Sequence, residues 1–204
     1  MSDALRWITV VLGGYLLGNF QSGLFIASLF GHIDIRKHGS GATGTTNVTR
    51  ILGALPGTLT LLLDVGKGAL GAWLGHLLLG DAGMMLMGAC VIIGHNWPAL
   101  FSFRGGKGIA AALGVLFFIK PYVALILLGV AIVIIAVTGY VSVASLVGFT
   151  AGMVYFVVTS GGDWVVIGFW VSMWAMAVYS HRANIRRLLA GTENRLTFGK
   201  SKSV

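Results

Sequence analysis

The chain has 204 residues, 56% of them hydrophobic and 10% charged, with a mean hydropathy of +0.89, which excludes an ordinary soluble domain and points to the bilayer as solvent. Fourteen Lys and Arg against six Asp and Glu give a formal charge of +8, which suits anionic lipid headgroups or phosphorylated ligands. Burial in lipid leaves little surface for nucleic acid, so none is expected as a partner, and the lone Cys90 excludes an intramolecular disulfide or a cysteine zinc cluster.

The N-terminal stretch has a weakly charged start and no small-residue cleavage site, so it reads as a retained first helix. About 20 residues cross the hydrocarbon core. On that measure the predicted spans run over 4–30, 54–79, 83–101, 107–119, 121–138, 142–160 and 164–180, with Lys120-Pro121 marking a turn after the short fourth. The fold class is therefore all-α, a polytopic membrane protein of about seven helices, with six as the alternative. The 31 glycines allow close helix packing.

Charge sorts the loops. Arg36, Lys37, Arg50, Arg104, Lys107 and a tail with Arg182, Arg186, Arg187, Arg195, Lys200 and Lys202 fall on one side; Asp3, Arg6, Asp81, Lys120 and Asp163 fall on the other. Since Lys and Arg stay cytoplasmic, the N-terminus is expected outside and the C-terminus inside. Without a fixed-period repeat or a low-complexity linker, residues 1–204 read as one domain.

Several segments carry chemistry. His38 to Arg50 is rich in Gly, Ser and Thr and ends on a guanidinium, the composition of a phosphate cradle, though a polar turn between helices has similar residues. Its Gly39, Gly41 and Gly44 match G-x-G-x-x-G, but a membrane helix precedes them where a dinucleotide fold needs a strand. Asp64 and Lys67, three apart near membrane depth, read equally as a functional pair and as an ion pair fixing helix packing. In Gly94 to Gly108, Pro98 ends a helix and a glycine turn presents Arg104 and Lys107; Gly108 stands where a Walker A loop needs Ser or Thr, and the upstream Gly is missing. Trp97, Phe101 and Phe103 suit interfacial anchors better than acyl-chain contacts.

In the tail, a helix continuing the last span would put His181 and Asn184 on one face, while Arg186 and Arg187 suit anionic lipid. Ser142 and Ser145 open the sixth span as caps or ligands. No acidic cluster for magnesium and no zinc-like histidine spacing is present, so neither metal nor cofactor is expected. His76 and Asp81 match the His-x4-Asp pattern of acyl-CoA-dependent acyltransferases, but the predicted topology puts them outside, away from cytosolic thioesters.

Ser40 to Arg50, Gly94 to Gly108 and His181 to Arg195, together with Asp64-Val-Gly-Lys67-Gly68, resemble in order the signatures of the bacterial PlsY family, membrane acyltransferases that acylate glycerol 3-phosphate from acyl phosphate. The resemblance covers nearly the whole chain. It departs at Ala42 and Thr45, where the family usually has Asn and Ala.

The resemblance implies a product of 1-acyl-glycerol 3-phosphate (lysophosphatidic acid) and phosphate, the first step of phospholipid synthesis. It implies an active site on the cytoplasmic face of the inner membrane, and it allows a soluble acyl-phosphate-forming enzyme as partner. It assigns Ser40, Arg50, Lys107, His181 and Asn184 to glycerol 3-phosphate, with Ser40, Lys107, His181 and Asn184 catalytic. Lys67, Gly105, Gly106, Gly108 and Ser142 fall to acyl phosphate. A transporter of phosphate or phosphate esters is the other reading of a basic membrane cavity, though repeated halves are not visible.

Overall fold

A computed structural model describes residues 1–196; Lys200 and Lys202, counted above among the inner charges, lie outside them. Among the described residues every regular element is helical. The chain divides into two compact units, one of Met1–Lys120 and one beginning at Pro121.

In the first unit, α1 (Asp3–Ile8) starts where Ser2 Oγ accepts the Leu5 N–H. A π-helical turn, Thr9–Gly13, leads into α2 (Gly14–Asn19). The predicted first span does not continue unbroken to residue 30. Phe20 and Gln21 leave helical geometry before α3 (Ser22–Gly31) resumes. The break frees the Phe20 carbonyl to accept from Lys67 Nζ at 2.8 Å.

A loop with one 3-10 turn (Ile35–Lys37) follows, then α4 (Thr45–Leu52). Ile35 and Val48 are fully buried against Ile26 and Ala27 of α3, which holds the loop to the helices.

Helix α5 (Ala54–Asn96) reverses at Leu79 and Gly80, the latter at φ 60. The boundary expected between the second and third spans lies there. The two arms pack so closely that a Cβ on Gly75 would strike the Gly83 carbonyl. Likewise, a Cβ on Gly94 would strike the Tyr15 carbonyl of α2. Glycine thus supplies helix–helix approach where lipid removes the hydrophobic drive for association. The second arm stops at Asn96, before Pro98, as the sequence suggests, rather than at residue 101. Helix α6 (Ile109–Ile119) begins after Gly108 at φ +77 and is only 11 residues long.

The second unit is an up-and-down run of α7 (Pro121–Thr138), α8 (Val141–Thr159) and α9 (Trp164–Ser180). Asp163 caps α9 by accepting the Val165 and Val166 N–H groups. Phe156 and Trp170 stack between α8 and α9 with centroids 3.9 Å apart. The tail departs from the expected straight extension. At His181 the chain bends by 57° into α10 (Arg182–Leu189).

Among the described residues four helical segments, Asp3–Gly31, Ala54–Phe101, Pro121–Thr138 and Val141–Thr159, are long and apolar enough to cross a membrane, and the α9–α10 pair adds a fifth if counted as one bent span. Large apolar side chains such as Ile126, Val133 and Val158 point outward from these helices, as a lipid-facing surface requires.

Candidate active site

The first signature is built around Asn47, 2% exposed. Its Oδ1 accepts the Ser40 N–H at 3.0 Å, and its Nδ2 donates to the carbonyls of His38 and Ala42, each at 3.0 Å. Gly39 stands at φ +60, and a Cβ there would run into Asn47 Oδ1. One amide therefore shapes the loop that presents Ser40, while Arg50 stands three residues further along the same helix. At the loop's start Asp34 and Arg36 form an ion pair at 2.9 Å. The hydrogen bond from Arg36 holds the Asp34 carboxyl below the usual range despite some desolvation.

Gln21, at the break between α2 and α3, ties this loop to the second signature. Its Oε1 accepts the Thr43 hydroxyl at 2.6 Å, and its Nε2 donates to the His95 and Gly18 carbonyls, each at 3.3 Å. Arg36 Nη1 also donates to the Phe101 carbonyl at 3.5 Å. In the turn itself, Gly106 N–H donates to the His95 carbonyl at 3.1 Å. A Cβ on Gly105 would strike that carbonyl, and one on Gly106 would strike the imidazole Nε2. Gly105 and Gly106 are thus glycine because His95 lies against them, and they carry the chain on to Lys107 and Gly108.

Asp64 and Lys67 meet at 2.8 Å, almost fully buried. Ser22 Oγ donates to Asp64 Oδ1 at 2.8 Å, while Lys67 Nζ also donates to the Phe20 carbonyl at 2.8 Å and approaches His95 Nδ1 at 2.7 Å. The helix break at Phe20 thus supplies a carbonyl acceptor, released from the helical ladder, for a buried ammonium.

In the second unit Glu193 is the hub. It accepts Ser142 Oγ at 2.9 Å, Asn184 Nδ2 at 2.6 Å and Arg187 Nε at 2.7 Å. Burial pushes its carboxyl up, but these hydrogen bonds and the Arg187 charge outweigh that and hold it below the usual range. Ser142 therefore caps no helix end; it meets Asn184 through Glu193. Ser145 Oγ bonds back to the Val141 carbonyl at 2.8 Å. His181, 1% exposed, has Nδ1 at 2.8 Å from the Ala177 carbonyl, so Nδ1 carries a proton and Nε2 is the other working nitrogen. His76 and Asp81 form an exposed pair at 3.3 Å across the α5 reversal.

Sequence reasoning missed Asn47, Gln21, Ser22 and Glu193 as organising residues. The signal for two of them was available: Asn19, Gln21 and Ser22 interrupt an apolar run, where polar side chains need partners.

The family model for glycerol-3-phosphate acyltransferase matches residues 8–191. The chain belongs to that family. A glycerol-3-phosphate acyltransferase of Alkaliphilus metalliredigens is 39% identical over 197 residues, covering 97% of this chain and 98% of the relative. One of Desulforudis audaxviator is 40% identical over 199 residues, covering 97% and 100%. Among solved structures, the chain is similar to the crystal structure of PlsY, an integral membrane glycerol 3-phosphate acyltransferase, in its glycerol 3-phosphate form. The TM-score is 0.86 at 38% identity, covering 93% of this chain and 95% of that one. The lysophosphatidic acid form of PlsY gives 0.84 at the same identity. Membership of the PlsY glycerol-3-phosphate acyltransferase family accounts for the three polar signatures in an otherwise apolar helical chain.

Proposed function

We propose that this chain transfers a fatty acyl group from acyl phosphate to the 1-hydroxyl of sn-glycerol 3-phosphate at the cytoplasmic face of a bacterial inner membrane. The observation that carries the reading is the likeness over 93% of the chain to a PlsY whose structures are a glycerol 3-phosphate form and a lysophosphatidic acid form. The reading orients seven spans with the N-terminus outside, which puts the signature loops inside and the His76–Asp81 turn outside.

Ser40, Arg50, Lys107, His181 and Asn184 bind glycerol 3-phosphate. A planar guanidinium, an ammonium and hydroxyl or amide donors suit a phosphomonoester. Gly105, Gly106, Gly108 and Ser142 serve the acyl phosphate, and Lys67 belongs to that side through its contact with His95. The surrounding bilayer contributes anionic lipid for Arg186, while Arg187, expected from the sequence to do the same, is paired with Glu193.

In the reaction the substrate hydroxyl oxygen bonds to the acyl carbonyl carbon, the carbon–oxygen bond to phosphate breaks, and the departing phosphate takes the hydroxyl proton. Acyl phosphate is already activated, so positioning supplies much of the acceleration, up to roughly 7–11 kcal/mol in the best intramolecular cases. Lys107 and the N–H groups of the glycine turn stabilise the developing negative charge. No metal is required by this chemistry.

The test is phosphate release by purified protein. Release from acyl phosphate should depend on glycerol 3-phosphate, acyl-CoA should not replace the donor, and His76→Ala should turn over normally. Robust use of acyl-CoA that is lost in His76→Ala would overturn the donor assignment.

A further inference from the structure

A buried ammonium must place three N–H bonds, and an imidazole nitrogen can receive one only when it carries no proton. Lys67, 5% exposed, meets three acceptors: the Phe20 carbonyl at 2.8 Å, Asp64 Oδ1 at 2.8 Å and His95 Nδ1 at 2.7 Å. The 3.5 Å between His95 Nδ1 and Asp64 Oδ1 is the remaining side of a triangle closed by the ammonium. It separates two acceptors. His95 is therefore neutral, with its proton on Nε2.

That protonated edge faces the glycine turn. A Cβ on Gly106 would meet Nε2 before any other ring atom, and the His95 carbonyl receives the Gly106 N–H at 3.1 Å. The same carbonyl accepts Gln21 Nε2 at 3.3 Å. His95 thus stands between the buried ion pair and the turn that carries Lys107. With the proton on Nδ1 instead, Nε2 would aim a lone pair toward a turn that binds an anion.

We propose that Asp64 and Lys67 are positioning residues: Lys67, held by Asp64, fixes the orientation and tautomer of His95, which in turn shapes the 104–108 turn and presents an N–H edge to it. The proposal rests on the reading that this turn serves the acyl phosphate. Lys67 acts through His95 and donates nothing to substrate directly.

The tautomer is read by 15N NMR of histidine-labelled full-length protein, with His95 assigned by its disappearance in His95→Gln. Wild type should show an unprotonated Nδ1 and a protonated Nε2. Lys67→Met alone strands a buried carboxylate, so the paired Asp64→Asn/Lys67→Met variant is used. In it the tautomer preference should be lost and KM for acyl phosphate should rise at least tenfold. His95→Gln keeps an amide N–H near the place of Nε2 and should retain at least ten times the kcat/KM of His95→Leu. Unchanged tautomer and unchanged acyl-phosphate KM in the folded double variant would overturn the proposal. So would a loss confined to kcat, which marks an interaction made only in the transition state, or equal activity of the two His95 variants. Wild type inert toward acyl phosphate would instead defeat the donor assignment itself.

Discussion

The side-chain oxygen of Asn47 receives the backbone N–H of Ser40 at 3.0 Å, so the serine proposed to bind glycerol 3-phosphate is held by a residue seven positions away. Asn47→Asp keeps the shape but turns the two donors to His38 and Ala42 into acceptors. Leaving such groups unsatisfied costs about 1–3 kcal/mol. Thermal unfolding in detergent should register that loss, and KM for glycerol 3-phosphate should rise at least fivefold. Wild-type values of both would remove Asn47 from the site.

Thr45 carries a hydroxyl that is buried without a hydrogen-bond partner, where the family usually has Ala. Thr45→Ala should leave kcat/KM within twofold and keep or raise stability by up to about 1 kcal/mol, because an unsatisfied buried hydroxyl only costs. A tenfold loss of activity would instead give that hydroxyl a substrate to bind.

Glu193 links stability to pH. Its carboxyl is held below the ordinary value of 4.5 in the folded protein, so the folded state takes up a proton less readily than the unfolded one. The stabilisation is complete above the unfolded value and is lost as pH falls through the lowered folded value. Glu193→Gln should therefore lower the melting temperature at pH 7, and the gap to wild type should close below about pH 4. A gap that persists unchanged in acid would place the effect in packing.

Arg50→Lys keeps the charge and loses the planar fork. Its kcat/KM should fall at least tenfold, mainly through KM for glycerol 3-phosphate. Unchanged affinity in both Arg50→Lys and Lys107→Ala would count against the cradle.

His181 distinguishes two mechanisms. With Nδ1 committed to the Ala177 carbonyl, Nε2 is placed to bind or to take a proton. If the donor phosphate takes the proton, His181→Gln raises the glycerol 3-phosphate requirement and leaves the pH profile of kcat unaltered. Loss of an ionisation near 6.5 from that profile, unrescued by saturating substrate in folded protein, would make His181 the base.

Helical class, the reversal near Gly80, the helix end before Pro98 and the boundary at Lys120-Pro121 were all legible in the sequence. Hydropathy over about 20 residues and the backbone limits of Gly and Pro are local properties, so a linear reading recovers them. The polar segments stood out for a similar reason, since ionisable and hydroxyl residues are costly in an apolar chain without partners or a polar cavity. Partnership was not legible. Asp64 and Lys67 are three residues apart and could be paired on paper, but only the tertiary structure brings the Phe20 carbonyl and His95 to the same ammonium. The break at Phe20–Gln21 and the 57° bend at His181 belong with this, since the sequence predicts a continuous helix through each. Glu193, one charge in a basic tail, became a hub because Ser142, 51 positions away, donates to it. A buried polar group takes whichever donor or acceptor the packing delivers, and that choice is made by contacts distant in sequence.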